Sequence, residues 1–136
     1  MYQQIQIIGR LGKDPESRFT PAGQQVTSFS VATDNQYTNA AGEKVKETTW
    51  FRVQVWGNMA QACNTYLAKG SLVMVAGRLV ADKSTGGPKI YVKSDKSSGA
   101  SFEINASVVK FLSTNTAKAE QEPTPFDGGS DEEVPF

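Results

Sequence analysis

Thr48-Thr49-Trp50-Phe51-Arg52-Val53-Gln54-Val55-Trp56 alternates between two kinds of side chain, and its reading decides the fold. In an extended strand, successive side chains point to opposite faces. Thr49, Phe51, Val53 and Val55 then share one face, an apolar stripe suited to a core. Thr48, Trp50, Arg52, Gln54 and Trp56 share the other, where a barrel normally shows polar residues to water. Two indoles and a guanidinium therefore stand on an outward face. At roughly 3.3 Å per residue, the step from Trp50 to Trp56 covers about 20 Å, enough for several splayed nucleotides.

Working outward toward the start of the chain, Val26-Thr27-Ser28-Phe29-Ser30-Val31-Ala32-Thr33 predicts a preceding strand with Phe29 and Val31 inward, joined to the central one by a polar loop over residues 34–46. Gln4-Ile5-Gln6-Ile7 alternates polar and apolar before Gly9, which predicts a first strand over roughly residues 2–10. Gly12, Pro15, Pro21 and Gly23 fill the connection between these two strands with turn formers.

Beyond the central strand, Asn58 is the expected N-cap of a short helix. Met59, Cys63 and Tyr66/Leu67 follow at helical spacing, Lys69 falls in its last turn and Gly70 just past it. Residues 71–80 predict a fourth strand and residues 102–112 a fifth, with Phe102, Ile104 and Ala106 on one side. Between them, Ser84-Thr85-Gly86-Gly87-Pro88 and Ser97-Ser98-Gly99 punctuate Ile90-Tyr91-Val92, which predicts a projecting arm of strand and turn. Three strands, a helix and two strands is the element order of an all-β OB-fold: a five-stranded Greek-key barrel with one short helix, here with a projecting β arm.

Net charge is zero, but the total hides an asymmetry. Residues 1–112 carry 13 Lys/Arg against 8 Asp/Glu, or +5, while residues 113–136 carry Lys118 against six acids, or −5. A basic body predicts an anionic ligand, and an acidic tail predicts a different role or competition with that ligand. Residues 113–130, rich in Thr, Ala, Glu, Pro, Gly and Ser, hold too little apolar surface to order themselves and are expected to form a disordered linker. The tip, Asp131-Glu132-Glu133-Val134-Pro135-Phe136, presents an aromatic ring on a backbone stiffened by proline. Its expected use is insertion into a basic-rimmed pocket of another protein, against the plainer reading of a solvating acidic tail.

With no histidine, histidine-dependent acid–base catalysis is excluded, and with one cysteine, Cys63, no intrachain disulfide can form. No cofactor or metal is expected, and Cys63 reads as a small apolar filler on the buried side of the helix. Gly86-Gly87 lacks the strand-to-helix context and the Gly-Lys-Ser/Thr of a phosphate loop. An enzyme is not expected. No stretch approaches the ~18 apolar residues of a membrane helix and no secretion signal opens the chain, so a cytoplasmic protein is expected.

The indoles of the central strand serve either of two purposes, packing against another protein layer or stacking on bases. The element order and the basic body favour nucleic acid. Aromatic rings stack on any base for ~1–3 kcal/mol each, and interleaved cations hold phosphates. Tyr37, in the polar loop, is a third candidate platform. Arg10, Lys13, Arg18, Lys44, Lys46, Arg52, Lys69 and Arg78 form the candidate phosphate set, taken together rather than singly.

Ile8-Gly9-Arg10-Leu11-Gly12-Lys13-Asp14-Pro15-Glu16, Val31-Ala32-Thr33, Trp50-Phe51-Arg52-Val53, Tyr66-Leu67-Ala68-Lys69-Gly70 and Gly77-Arg78-Leu79 together resemble the bacterial single-stranded DNA-binding protein family. The resemblance runs over about residues 2–112 and resumes at 131–136, which is similar to that family's acidic Pro-Phe end. It implies an OB-fold homotetramer, nucleoid-associated, that wraps single-stranded DNA during replication, recombination and repair. It also implies a tip that recruits helicases, nucleases, primase and clamp-loader components. By position, the family's stacking aromatics fall on Tyr37, Trp50 and Trp56. A further aromatic is replaced by Ser84 in an ungapped match, and Tyr91 takes its place if the arm carries an insertion. Phe51 occupies a position the family uses near its subunit interface. The arm over 81–101 is longer than usual and the linker shorter, which leaves wrapping mode and cooperativity open. The expected organisation is a binding and oligomerisation domain at 1–112, a linker at 113–130 and a tip at 131–136. The alternative is an RNA-binding OB domain of the cold-shock or translation type, for which the acidic Pro-Phe tip has no evident use. A primosomal relative should lack the tip.

Overall fold

Among the described residues, seven strands and one helix follow one another as β1 (Ile5–Leu11), β2 (Glu16–Phe19), β3 (Gln25–Thr38), β4 (Lys44–Trp56), α1 (Asn58–Tyr66), β5 (Leu72–Val80), β6 (Lys89–Val92) and β7 (Ser98–Ser113). The structure, a computed structural model, describes residues 1–113. The tip and all of the expected linker beyond Ser113 lie outside the described residues.

β1, β5, β7, β4 and β3 are hydrogen-bonded in that order, and β1 returns to pair with β3 at Arg10–Ala32 and Leu11–Val31, closing the barrel. All pairings are antiparallel except β4 with β7, which run parallel from Phe51–Phe102 to Gln54–Asn105. This is the expected OB-fold, and its helix falls between the third and fourth barrel strands. Closure removes the exposed edges that an open sheet of these strands would present.

The apolar stripe of β4 faces inward as its alternation demands. Val53 and Val55 are buried with Ile7, Leu11, Phe29, Val31, Val73, Val75 and Ile104. β-branched residues dominate because their restricted χ1 suits the pleated surface, and each buried side chain contributes ~1.5–3 kcal/mol. Helix α1 plugs one end with Ala60 and Cys63, and Leu67 beyond it packs into the same core. Thr27, fully buried on β3, donates from Oγ1 to the Ala60 carbonyl at 2.6 Å, which anchors the helix to the barrel.

Several expected boundaries shift. Gly57, with φ of 73°, caps the helix without a side-chain hydrogen bond, and Asn58 is already its first residue rather than its N-cap. The left-handed backbone of Gly57 makes the strand-to-helix turn, so no side-chain cap is recruited. The helix stops at Tyr66, because Leu67 turns extended to bury its side chain. Lys69 and Gly70 therefore belong to the turn into β5, not to the last helical turn. β2, expected as connection, pairs with β3 from Glu16–Ser28 to Phe19–Gln25. All four of its residues are exposed, so no apolar alternation marked it.

The polar loop at 34–46 is in fact a long hairpin. β3 and β4 pair out to Thr38–Lys44, and the turn is held by Asn39, whose Oδ1 accepts from the Ala41 and Glu43 amides. Both faces of this extension meet water, which leaves no period-two signal in the sequence. The arm is also a hairpin, β6 against β7 from Lys89–Ser101 to Val92–Ser98. The last strand thus starts at Ser98, not 102, and Ser98-Gly99 is strand rather than turn. Two aspartates shape the arm's turns. Asp82 accepts from the Ser84 hydroxyl at 2.6 Å and from the Ser84 and Thr85 amides, while Asp95 accepts from the Ser97 hydroxyl and amide. These bonds favour the ionised carboxylates and hold both below the usual aspartate range, side-chain hydrogen bonding leading in each.

Candidate nucleic-acid interface

Residues paired across neighbouring strands share a face, so the register assembles the outer surface row by row. One row holds Arg10, Ala32 and Trp50; the next holds Ser30, Arg52 and Glu103. A third runs Glu16, Ser28, Gln54, Asn105 and Arg78, and a fourth Arg18, Val26 and Trp56. Four of the expected cations, Arg10, Arg18, Arg52 and Arg78, therefore stand on one outer surface with both indoles, though they come from four different strands. All four are exposed.

The tryptophans differ in their settings. Trp50 is 52% exposed, and its ring lies so close over Gly12 that a methyl group there would collide with the indole edge. Gly12 itself is fixed by donating its amide to the Ser30 carbonyl at 3.1 Å. Trp56 is 38% exposed, and its Nε1 donates to Asn105 Oδ1 at 2.9 Å.

Where β4 and β7 part, past the Phe51–Phe102 pair, a cleft of about 810 Å³ opens between the long hairpin and the arm. Trp50, Arg52, Tyr91 and Glu103 line it. Its floor includes Phe51 and Phe102, whose ring centroids are 5.9 Å apart. Phe51 therefore turns to the core side of β4, half-buried. Tyr91 lies across Gly99 of the facing strand, where any Cβ would strike its ring. That packing explains a glycine inside a strand. Ser84, the ungapped match to the family aromatic, is a turn residue hydrogen-bonded to Asp82.

Arg10, Lys13 and Lys69 gather at one end of the barrel, where the β1–β2 turn meets the α1–β5 turn. Arg10 Nη1 donates to the Gly70 carbonyl at 2.8 Å, and the Lys69 amide donates to Asp14 Oδ1 at 2.8 Å. On the hairpin, Lys44 and Lys46 share the Trp50 face, with Lys46 Nζ 3.5 Å from Asp34. Tyr37 stands apart from these groups. It pairs with Val45, an odd number of residues from the Ala32–Trp50 row, so alternation sets it on the other face of the hairpin.

Glu103 and Asn105 are the site residues that sequence reasoning missed. Both lie on the last strand, and their position beside β4 depends on a parallel pairing between segments about fifty residues apart. Glu103 lies beside Arg52 in its row, and its carboxylate accepts from the Ser101 hydroxyl at 3.2 Å. Among the described residues, no group of three or more His, Cys, Asp or Glu gathers as metal ligands, and no helix is long and apolar enough to cross a membrane. Burial pushes the Cys63 thiol up to about 12, which leaves it a poor nucleophile.

Comparison with known proteins gives a consistent result. The model of the single-strand binding protein family matches residues 2–112. "Single-stranded DNA-binding protein 1" of Chlorobaculum tepidum is 39% identical over 89 residues, covering 62% of this chain and 55% of its own length. The single-stranded DNA-binding protein of Neisseria meningitidis is 35% identical over 106 residues, covering 78% and 57%. The chain thus spans a little over half the length of these curated relatives. Among solved structures, the Plasmodium falciparum SSB complex with ssDNA superposes with a TM-score of 0.67 at 26% identity, over 82% of this chain and 96% of that one.

Proposed function

The chain belongs to the single-strand binding protein family, and from that membership we propose that it binds and protects single-stranded DNA with little base preference. Trp50 and Trp56 stack on bases, while Arg10, Arg18, Arg52 and Arg78 hold the phosphates. Lys13 and Lys69 extend the path at the barrel end, and Tyr91 borders the cleft beside Trp50. Tyr37 is a platform for a strand that crosses the hairpin to its other face. The observation that carries this reading is the outer surface itself, two exposed indoles among four arginines.

Residues 1–112 form the binding and oligomerisation domain in this reading. The assembly is a homotetramer, supported by exposed apolar side chains away from the indole rows, among them Tyr2, Ile8, Ile90, Val92 and Leu112. The segment 131–136 recruits replication, recombination and repair proteins, by its likeness to the family's acidic Pro-Phe motif. The protein works in the cytoplasm at the nucleoid.

Titration of tryptophan fluorescence with poly(dT) tests the central claim. Strong quenching is expected, weaker with poly(U) and absent with duplex DNA. Equal or tighter binding of RNA would move the chain to the cold-shock or translation class, and no quenching by any strand would return the indoles to packing. For the tip, deletion of residues 134–136 should leave DNA affinity intact and abolish retention of helicases and nucleases from the same cell.

A further inference from the structure

Trp56 is held by the one hydrogen bond that an indole can donate. Its Nε1–H reaches Asn105 Oδ1 at 2.9 Å, across the parallel β4–β7 pairing in which Gln54 and Asn105 are partners. Because indole nitrogen donates and never accepts, only one orientation of the Asn105 amide fits. The carbonyl faces Trp56, and the NH2 group turns away from it. Asn105 is exposed and stands between Gln54 and Arg78 in its row, so nothing about the core requires an amide there. A core-filling role is excluded by this exposure, and a turn role by its place inside a strand.

A half-exposed indole that can rotate about its side-chain torsions must lose that freedom when a base stacks on it. Fixing the ring beforehand removes part of this cost. We infer that Asn105 is a positioning residue that locks the Trp56 ring as a stacking platform before DNA arrives and so sets its contribution to affinity. This rests on the single-strand-binding reading and deepens it. The amide NH2 is left turned away from the indole, in the row that also holds Arg78.

The test is a double-mutant cycle on the full chain with Asn105→Ala, Trp56→Phe and both, using labelled oligo(dT) for affinity. Phenylalanine keeps an aromatic ring but cannot donate to Asn105. Asn105→Ala should weaken binding about three- to tenfold in the wild-type background, the worth of one ordinary hydrogen bond, and less than about twofold beside Trp56→Phe. NMR hydrogen exchange without DNA supplies an independent readout. The Trp56 indole proton should be protected in the wild type, exposed in Asn105→Ala and protected again in Asn105→Asp, which keeps the acceptor. Equal weakening in both backgrounds, or unchanged indole protection in Asn105→Ala, overturns the inference alone. Failure of the wild-type chain to bind oligo(dT) overturns the reading beneath it as well.

Discussion

The two ends of the indole face of β4 are built on different principles. At the Trp50 end, the ring rests on the bare backbone of Gly12 and looks into an open cleft between the hairpin and the arm. At the Trp56 end, the ring is less exposed and its nitrogen is tied to Asn105. One platform is shaped by an absent side chain, the other by an added one. The Trp50 ring is seated by packing on backbone, while the Trp56 ring is directed by a hydrogen bond.

Removing both rings breaks the comparison most severely. Trp50→Ala and Trp56→Ala should each weaken single-stranded DNA binding by ~1–3 kcal/mol, and the double variant by roughly the sum, since the sites are about 20 Å apart. Circular dichroism and melting temperature should show the barrel intact. Unchanged affinity in all three, with the fold preserved, would return the indoles to a packing role.

Gly12→Val sharpens the contrast at the Trp50 end alone. The added side chain must displace the ring, so affinity should fall by at most the ~1–3 kcal/mol of one stack. Beside Trp50→Ala the same substitution should be nearly silent. A full effect in that background would mean that Gly12 acts through the backbone instead.

The arginines join the two ends and should be visible mainly through salt. Log affinity should fall steeply with log salt concentration, and replacing any one of Arg10, Arg18, Arg52 or Arg78 by Ala should flatten the slope by about 0.7. Identical slopes in all four variants would remove them from the phosphate path.

The smallest effect on binding is expected at Cys63, on the buried side of the helix, which serves as the control for both ends. Its thiol is shifted from 9.0 to about 12 by burial. Below 9.0 it is neutral in folded and unfolded chains alike. As pH rises from 9.0 toward about 12, the unfolded chain loses its proton first, so stability is lost across that window. Denaturant titration should show this loss, reduced in Cys63→Ala, while DNA affinity in the variant stays unchanged at neutral pH.

The parts that the sequence made legible share a physical signature. The period-two pattern of β4 follows from one face buried and one exposed, and the fold requires that contrast wherever a strand walls the core. Burial of Val53 and Val55 opposite the exposed indoles is that pattern realised. β2 and the outer half of the β3–β4 hairpin lie beyond the core, where both faces are wet and local patterning has nothing to record. Gly99 looked like a turn signal because glycine is common in turns, yet its cause is the Tyr91 ring across the strand.

By itself, the sequence determined the barrel's element order, the inward and outward faces of its central strand, the lack of histidine chemistry and the family. Each of these follows from local alternation, composition or motif. Only the tertiary structure decided which distant residues meet on the outer surface. Arg18 joins Trp56 through the antiparallel pairing of β2 with β3 and of β3 with β4, while Glu103 joins Arg52 and Asn105 holds the Trp56 indole because the parallel β4–β7 pairing sets segments far apart in the chain side by side. The register of such a pairing is fixed by the shared core of the closed barrel, not by either strand's own pattern.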